Sequence, residues 1–207
     1  MARADPDEPR AGVMARAARI LRRPSGAWDE IADEPVSPRE LHGRYVAPMA
    51  AVPAVCGALG LLVFGLNMAD VRVWPSPAST ALQSATSYVL TLTGVWALAA
   101  IVNVLAPAFG GVRSFARAFK LVAYSGTAAW AAGIFYLYPT LAIPVGILSG
   151  LYSLHTLYQG LPKLMRAPAE RSLTFFAAIL LAVLALGLLR DLVASWAAEA
   201  GGPLALG

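Results

Sequence analysis

The sequence predicts an all-α membrane protein, a bundle of five transmembrane helices that follows a cytoplasmic region of short amphipathic helices. The composition is the first observation, because 58% of the 207 residues are hydrophobic and 14% are charged. A soluble domain carries about 25% charged residues. The second observation is a set of five stretches long enough to cross about 30 Å of hydrocarbon, which takes about 20 apolar residues. The predicted spans are residues 45–66, 80–105, 120–138, 140–158 and 172–189.

The third observation is that the 16 Lys and Arg residues sort to one side of these spans. Eight precede the first span, three lie between spans two and three, and three lie between spans four and five. Only Arg72 and Arg190 remain for the other side. Since cytoplasmic loops are enriched in Lys and Arg, the N-terminus is predicted in the cytoplasm and the C-terminus outside. Basic groups that flank apolar spans also exclude nucleic acid as a partner.

Four regions follow from this pattern. Residues 1–11 form a charged tail, 12–44 a cytoplasmic amphipathic region, 45–196 the membrane domain and 197–207 a short outer tail. Many arginines and few lysines are typical of a GC-rich bacterial genome, so we expect multi-pass insertion in a bacterial inner membrane.

Residues 13–23 carry apolar side chains on one helical face and arginines on the other. This pattern predicts an amphipathic helix that lies on the anionic cytoplasmic leaflet. The alternative is a helix docked on the protein's own cytoplasmic loops. In the next short helix we expect the tryptophan at headgroup level and the acidic residues paired with the upstream arginines. The candidate interfacial region consists of Arg16, Arg19, Arg23 and Trp28.

The entry to the first span has helix-start and helix-break signals. Ser37 is predicted to cap a helix that begins at Pro38, with Glu40 completing a capping box. This helix runs directly into the first span. Pro48 and Pro53 each remove a backbone hydrogen bond there, so a kink is expected.

Spans three and four are separated only by Pro139 and are predicted to form a tight helical hairpin. Small residues let membrane helices approach closely. Gly146 and Gly150 form a GxxxG pattern in span four, and Ala129 and Gly133 are similarly spaced in span three. The hairpin is therefore predicted at the centre of the bundle, with a homodimer face as the alternative use of the GxxxG.

No charged residue lies inside the spans away from their ends, and no phosphate-binding loop, catalytic carboxylate pair or metal-ligand spacing occurs. The single cysteine, Cys56, has no partner in the chain. We therefore expect neither an enzyme nor a cofactor. A polar and aromatic set remains, which predicts a cytoplasm-facing pocket for a lipid headgroup or small ligand, or else ordinary interfacial tyrosines and a structural histidine. The set is Tyr124, Tyr152, His155, Tyr158 and Gln159.

Three segments spread over residues 20–170 carry a family resemblance. They comprise residues 20–24, 28–35 and 45–48, then 105–107, 109–111 and 118–127, and finally 150–152 and 157–163. In order, spacing and five-span layout they resemble the bacterial branch of the Yip-domain family, whose eukaryotic members are Ypt/Rab-interacting membrane proteins. The resemblance implies five membrane helices, a cytoplasmic N-terminus and no catalytic residue.

The Asp-Leu-Tyr-Gly-Pro stretch that precedes the first span in eukaryotic relatives does not occur here, so Rab binding is not carried over. The leading hypothesis is a non-enzymatic protein that organises the membrane or scaffolds partners. Its expected partners are membrane lipids, a cytoplasmic protein or a second copy of the chain. The alternative is a transporter or channel for a neutral small molecule or lipid, which kinked helices and the Tyr152, His155 and Gln159 face favour.

Overall fold

The computed structural model describes residues 12–68 and 71–200, and nearly all of them are helical. The first elements are α1 (Val13–Arg22), α2 (Pro24–Asp33), α3 (Pro38–Leu41), α4 (Ala47–Phe64), β1 (Leu66–Met68) and β2 (Val71–Val73). The later elements are α5 (Pro77–Leu105), α6 (Phe115–Ser125), α7 (Thr127–Ala132), α8 (Pro139–Met165) and α9 (Ala169–Ala200). The predicted tail 1–11 lies outside the described residues.

Within residues 12–68 and 71–200, four helices are long and apolar enough to cross a bilayer, and they match four of the five predicted spans. They cover Pro38–Phe64, Pro77–Phe109, Pro139–Met165 and Ala169–Ala194. In each helix the most apolar stretch of 18 residues has a mean hydropathy of at least 1.3. Less than a quarter of that stretch is buried inside the protein. Their apolar surfaces therefore face outward, as membrane helices in contact with lipid tails require.

The third predicted span, residues 120–138, differs from the prediction of one continuous helix. The chain instead forms α6, then α7, then a 3₁₀ segment over Gly133–Leu137. At Gly133 a Cβ atom would lie 2.6 Å from Cβ of Pro53, so only glycine permits the approach to α4. The 3₁₀ segment thus begins where the chain passes closest to Pro53 of α4.

The second part of this segment, from α7 to Tyr138, runs alongside α4. Near its start the Tyr45 hydroxyl lies 2.7 Å from Oγ1 of Thr127. Near its finish the ring of Tyr138 lies 5.2 Å from the ring of Phe64, the last residue of α4. We call the end of the bundle that holds Tyr45 the inner end, and the opposite end, which holds Tyr138, the outer end.

The connection into α4 confirms the predicted cap. The Ser37 hydroxyl accepts a hydrogen bond from the backbone N–H of Glu40, and Pro38 occupies the first helical position. A π-helical turn over His42–Val46 follows, in which the N–H of Ala47 bonds to the carbonyl of His42 five residues back. Pro48 has no N–H to donate, so the register of the hydrogen-bond ladder changes at the turn before it.

At the outer end, β1 and β2 form a short antiparallel hairpin with Leu66 paired to Val73. The sequence does not predict this hairpin, because three-residue strands carry too little alternation to be recognised. Gly65 links α4 to the hairpin at φ 68°, a backbone conformation that favours glycine.

Buried side chains concentrate at the inner end. The largest ones come from α2, α6, α8 and α9 and include Trp28, Phe119, Leu161 and Phe175. Exposed apolar residues dominate towards the outer end, for example Ile143 and Leu188, which are 75% and 74% exposed. The fold therefore combines a packed inner end with an outer half whose surface is apolar.

The predicted GxxxG packing is only half present. Gly146 lies against the hydroxyl of Tyr136, where a Cβ would be 3.2 Å away. Gly150 faces open space, since a Cβ atom at this position would have no neighbouring atom within 4 Å. Only Gly146 therefore contributes to packing within this chain.

Candidate functional site

The helices α1 and α2 pack on the inner end of the bundle, and Trp28 is the centre of that contact. Trp28 is 1% exposed, and its Nε1–H donates to the backbone oxygen of Thr156 at 3.0 Å. Gly160, one turn further along α8, leaves room for the ring, since a Cβ there would lie 2.6 Å from it. The indole, which the sequence suggested as an anchor at headgroup level, is buried in the protein with its one polar group satisfied, which is how tryptophan is stabilised inside proteins.

Two lysines of the bundle hold the two ends of α2. The buried Lys120 donates through Nζ to the carbonyl oxygens of Ile31, at 3.0 Å, and of Glu34. These carbonyls lie at the C-terminal end of α2, where the helix dipole favours a cation. Lys163 donates to the carbonyl of Ser25 and pairs with the carboxylate of Asp29, both at 2.7 Å. The ends of α2 are therefore fixed by α6 and α8 respectively.

The predicted pairing between arginines of α1 and acidic residues of the next helix is confirmed. Arg16 pairs with Glu34, and Arg19 pairs with Glu30 at 2.6 Å. The Arg16 side chain is only 12% exposed, and its guanidinium carbon lies 5.9 Å from the centre of the Tyr124 ring. Arg16 thus joins α1, α2 and α6 in a partly buried contact.

The outward face of α1 remains basic. Arg22 and Arg23 are exposed, and Arg23 lies at the junction between α1 and α2. Together with Arg19 and two alanines of α1 they surround a shallow depression of about 400 Å³. The apolar residues Ala17 and Ile20 are buried against the bundle. The face that α1 presents to its surroundings therefore carries arginines beside the exposed Met14.

The five residues of the predicted pocket do not line one cavity. Tyr124 is buried between Trp28, at a ring distance of 6.5 Å, and Tyr45, at 4.9 Å. Tyr158 lies on another side of the bundle, with its ring edge-on to Phe176. Tyr124 therefore belongs to the contact that holds α2, and Tyr158 to the contact between α8 and α9.

Tyr152, His155 and Gln159 do share one face of α8, as their spacing indicates. Gln159 Nε2 lies 2.8 Å from His155 Nε2, and the ring of His155 lies 6.2 Å from that of Tyr152. The Tyr152 hydroxyl donates to the carbonyl oxygen of Leu21 at 2.7 Å. This bond satisfies a carbonyl in the last turn of α1, so Tyr152 also holds the N-terminal helices in place.

Two predicted sets of residues thus meet at one contact. Arg16 and Trp28 were predicted at a lipid surface, whereas Tyr124 and Tyr152 were predicted in a pocket. The structure brings all four to the surface where α1 and α2 pack on the bundle, which we call the docking interface. It consists of Arg16, Trp28, Asp29, Glu34, Lys120, Tyr124, Tyr152, Gly160 and Lys163.

The roles of Lys120, Gly160 and Lys163 were not predicted from the sequence. All three lie in segments that carry the family resemblance, from which only topology was inferred. The signal that could have found the two lysines is their position at the predicted cytoplasmic ends of spans three and four, opposite an acidic helix. Among the described residues, no group of three His, Cys, Asp or Glu side chains could hold a metal ion.

The fold defines a multi-helix membrane protein whose N-terminal helices pack back on one end of its bundle. A family model described as the Yip1 domain matches residues 18–190, which include α2 and every residue of the docking interface except Arg16. The chain belongs to this family. The expected family membership is therefore confirmed, and the chain is a membrane protein of the Yip type.

The chain is also similar to the inner membrane protein YohC of Escherichia coli strain K12. The two are 28% identical over 140 residues, which cover 66% of this chain and 72% of the relative. YohC of Escherichia coli O6:H1 is similar to the same extent. No solved structure matches the chain.

Proposed function

We propose that this protein is a non-enzymatic scaffold that crosses the inner membrane five times and presents α1 and α2 to a cytoplasmic protein partner. The observation that carries the proposal is the docking interface, which fixes two charged helices on the bundle without using their outward face. A segment with no function outside the bundle would not need a buried tryptophan and a buried lysine to position it.

The geometry of the broken segment supports five crossings. Residues 127–138 lie beside α4 from Tyr45 at its inner end to Phe64 at its outer end, and α6, which precedes them, packs against α5 and α8. Residues 115–137 number 23, which at about 1.5–2.0 Å per residue is at least the thickness of the hydrocarbon layer. The 3₁₀ segment packs against α4 and α8, which cover part of its irregular backbone from lipid.

The positive-inside pattern supports the orientation. With five crossings, α1, α2 and the connections that hold Arg113 and Arg166 share one side with 14 of the 16 basic residues. That side is the cytoplasm for membrane proteins in general. The docking interface then lies at the cytoplasmic face.

The exposed arginines support a protein partner over insertion into lipid. An interfacial helix needs an apolar face of its own to enter the headgroup layer. In α1 the apolar residues Ala17 and Ile20 are buried against the bundle, which leaves Met14 as the large apolar side chain exposed on this helix. Arg22 and Arg23 remain for electrostatic recognition of an acidic protein surface, which guides association more than it adds affinity.

The test is photo-crosslinking in living cells from a photoreactive residue at position 22, compared between the native chain and an Arg19→Glu, Arg23→Glu variant. Arg39→Glu is the matched control, because Arg39 is exposed on α3, away from this face. We expect one discrete protein adduct that the double reversal removes and the control retains. Adducts to lipid alone, or a protein adduct unaffected by the double reversal, would contradict the proposal.

The alternative function is transport of a neutral small molecule or lipid, and a groove between α4 and α5 favours it. Flux into proteoliposomes tests it, with a Tyr152→Phe, His155→Ala variant as the comparison. Those two residues line neither the groove nor the depression on α1, so transport through the groove would continue in that variant. Transport that the variant abolished would instead support the pocket predicted from the sequence.

A further inference from the structure

A groove of about 200 Å³ opens between α4 and α5 towards the outer half of the bundle, away from the docking interface. We call it the outer groove. Small apolar residues of α4, among them Ala54 and Ala58, form one wall. The other wall, on α5, carries Gln83, Ser84, Ser87 and Thr91, and Arg190 of α9 closes one side. A groove with one apolar wall, one hydroxyl-rich wall and a cation suits an amphiphile with an anionic group.

Arg190 is placed on an otherwise apolar surface. Its α9 neighbours Leu188 and Leu189 are 74% and 56% exposed. The guanidinium reaches across to α5, where Nη2 lies 3.5 Å from Oγ of Ser87. Among the side chains that the structure describes, no acidic group forms an ion pair with Arg190. A guanidinium beside lipid tails is costly without an anion, and a phosphate is the anion that its planar set of donors fits best.

The position of the groove along the helix places it where lipid phosphates are found. Helix α5 has 29 residues, or about 43 Å at 1.5 Å per residue, which exceeds the roughly 30 Å of hydrocarbon. Its first eleven residues contain Ser, Thr and Gln at six positions, whereas the rest is mostly apolar. The polar part therefore extends to the level of the outer headgroups. Ser84 and Ser87 lie in the half of this polar part that is nearer to the middle of the membrane.

We propose that the outer groove binds the phosphodiester of a phospholipid. Arg190 and the hydroxyl of Ser87 bind the phosphate oxygens, and an acyl chain lies along the small residues of α4. This inference does not depend on the scaffold proposal, because it concerns the opposite half of the molecule and a different ligand.

The experiment is native mass spectrometry of the detergent-purified full chain with added dioleoyl phosphatidylglycerol, and with dioleoylglycerol as the lipid without phosphate. We expect phosphatidylglycerol adducts to exceed diacylglycerol adducts, and Arg190→Gln to reduce the former at least fivefold. Ala58→Phe fills the groove from the opposite wall and should reduce them similarly. Arg190→Lys should retain part of the binding, because it keeps the charge and loses the bidentate geometry.

Arg72→Gln is the matched control, since it removes the other basic residue assigned to the outer side. Its adducts should equal those of the native chain, and circular dichroism checks that every variant keeps its helical content. Adducts unchanged in Arg190→Gln and in Ala58→Phe would overturn the proposal. Displacement of the lipid by an equal concentration of inorganic phosphate would likewise overturn the lipid as the ligand and assign the site to a free anion.

Discussion

The inner end and the outer half of this bundle are built in different ways. At the inner end Trp28 is 1% exposed, and cations of α6 and α8 bond to the backbone of α2. In the outer half residues such as Ile143 are 75% exposed, and the helices leave a groove between them. The inner end has the packing of a soluble protein core, whereas the outer half relies on the bilayer as solvent for its apolar surface.

This difference shows where sequence change should be most costly. Substitutions at the docking interface create cavities or clashes inside a packed core, so they should alter the position of α1 and α2. Substitutions on the outer surface exchange one lipid-facing side chain for another. Hydrogen exchange of the backbone amides in α1 and α2 measures the free energy of their local opening and so reports the docking directly.

The largest effect is expected for Trp28→Ala. It removes a buried indole and its hydrogen bond to Thr156, which should lower the free energy of docking by about 3–5 kcal/mol. The amides of α1 and α2 should then exchange rapidly, whereas those of α5 should not. Met14→Ala on the exposed face of α1 is the control and should change exchange little. Unchanged protection in Trp28→Ala would show that the indole does not hold α2.

Alanine substitutions at two glycines of α8 compare a position at the docking interface with one outside it. Gly160→Ala places a Cβ 2.6 Å from the Trp28 ring and should weaken docking by about 1–3 kcal/mol. Gly150→Ala meets nothing within 4 Å and should stabilise the helix slightly, since alanine favours helix over glycine. Thermal unfolding in detergent and amide exchange distinguish the two. Equal effects at both positions would contradict the difference between the ends.

Lys120→Met tests the buried cation. The change removes the donor to the carbonyls of Ile31 and Glu34 while keeping a side chain of similar length, so the two buried oxygens lose a partner. We expect a loss of about 1–3 kcal/mol. Faster exchange confined to the C-terminal turn of α2 would support this role. A variant as well protected as the native chain would show that the lysine contributes nothing there.

The smallest effect is expected for the ion pair between Asp29 and Lys163, because the Asp29 side chain is 68% exposed. A double-mutant cycle with Asp29→Asn and Lys163→Met should give a coupling of about 0–1 kcal/mol, reduced further by salt. A coupling above about 2 kcal/mol would mean that this exposed pair stabilises docking as much as the buried contacts of Trp28 and Lys120 do, contrary to the expected order.

Local sequence patterns were sufficient to predict four membrane helices and the cap at Ser37. Helix length, apolar content and capping chemistry are properties of short stretches of sequence. These patterns were insufficient for residues 120–138. The composition there is apolar enough for a span, but the break depends on the approach of Gly133 to Pro53, eighty residues earlier in the chain.

The candidate site shows the same limit. The face shared by Tyr152, His155 and Gln159 follows from helical spacing and is present. The position of Trp28 depends on the carbonyl of Thr156, 128 residues away, and on the space at Gly160. An amphipathic pattern cannot distinguish a helix on a lipid surface from one on its own bundle, because both bury the same apolar face.

The most direct test of the docked arrangement is a crosslink across the docking interface in native membranes. Ser25→Cys and Lys163→Cys, in a Cys56→Ala background, place one thiol on α2 and one on α8, at positions that the long Lys163 side chain bridges in the native chain through its 2.7 Å bond to the Ser25 carbonyl. We predict rapid crosslinking by a short bifunctional reagent, and its loss when Trp28→Ala is added. Absence of the crosslink in the Trp28-containing protein, or an equal yield after Trp28→Ala, would contradict the claim that α1 and α2 are held on the inner end of the bundle.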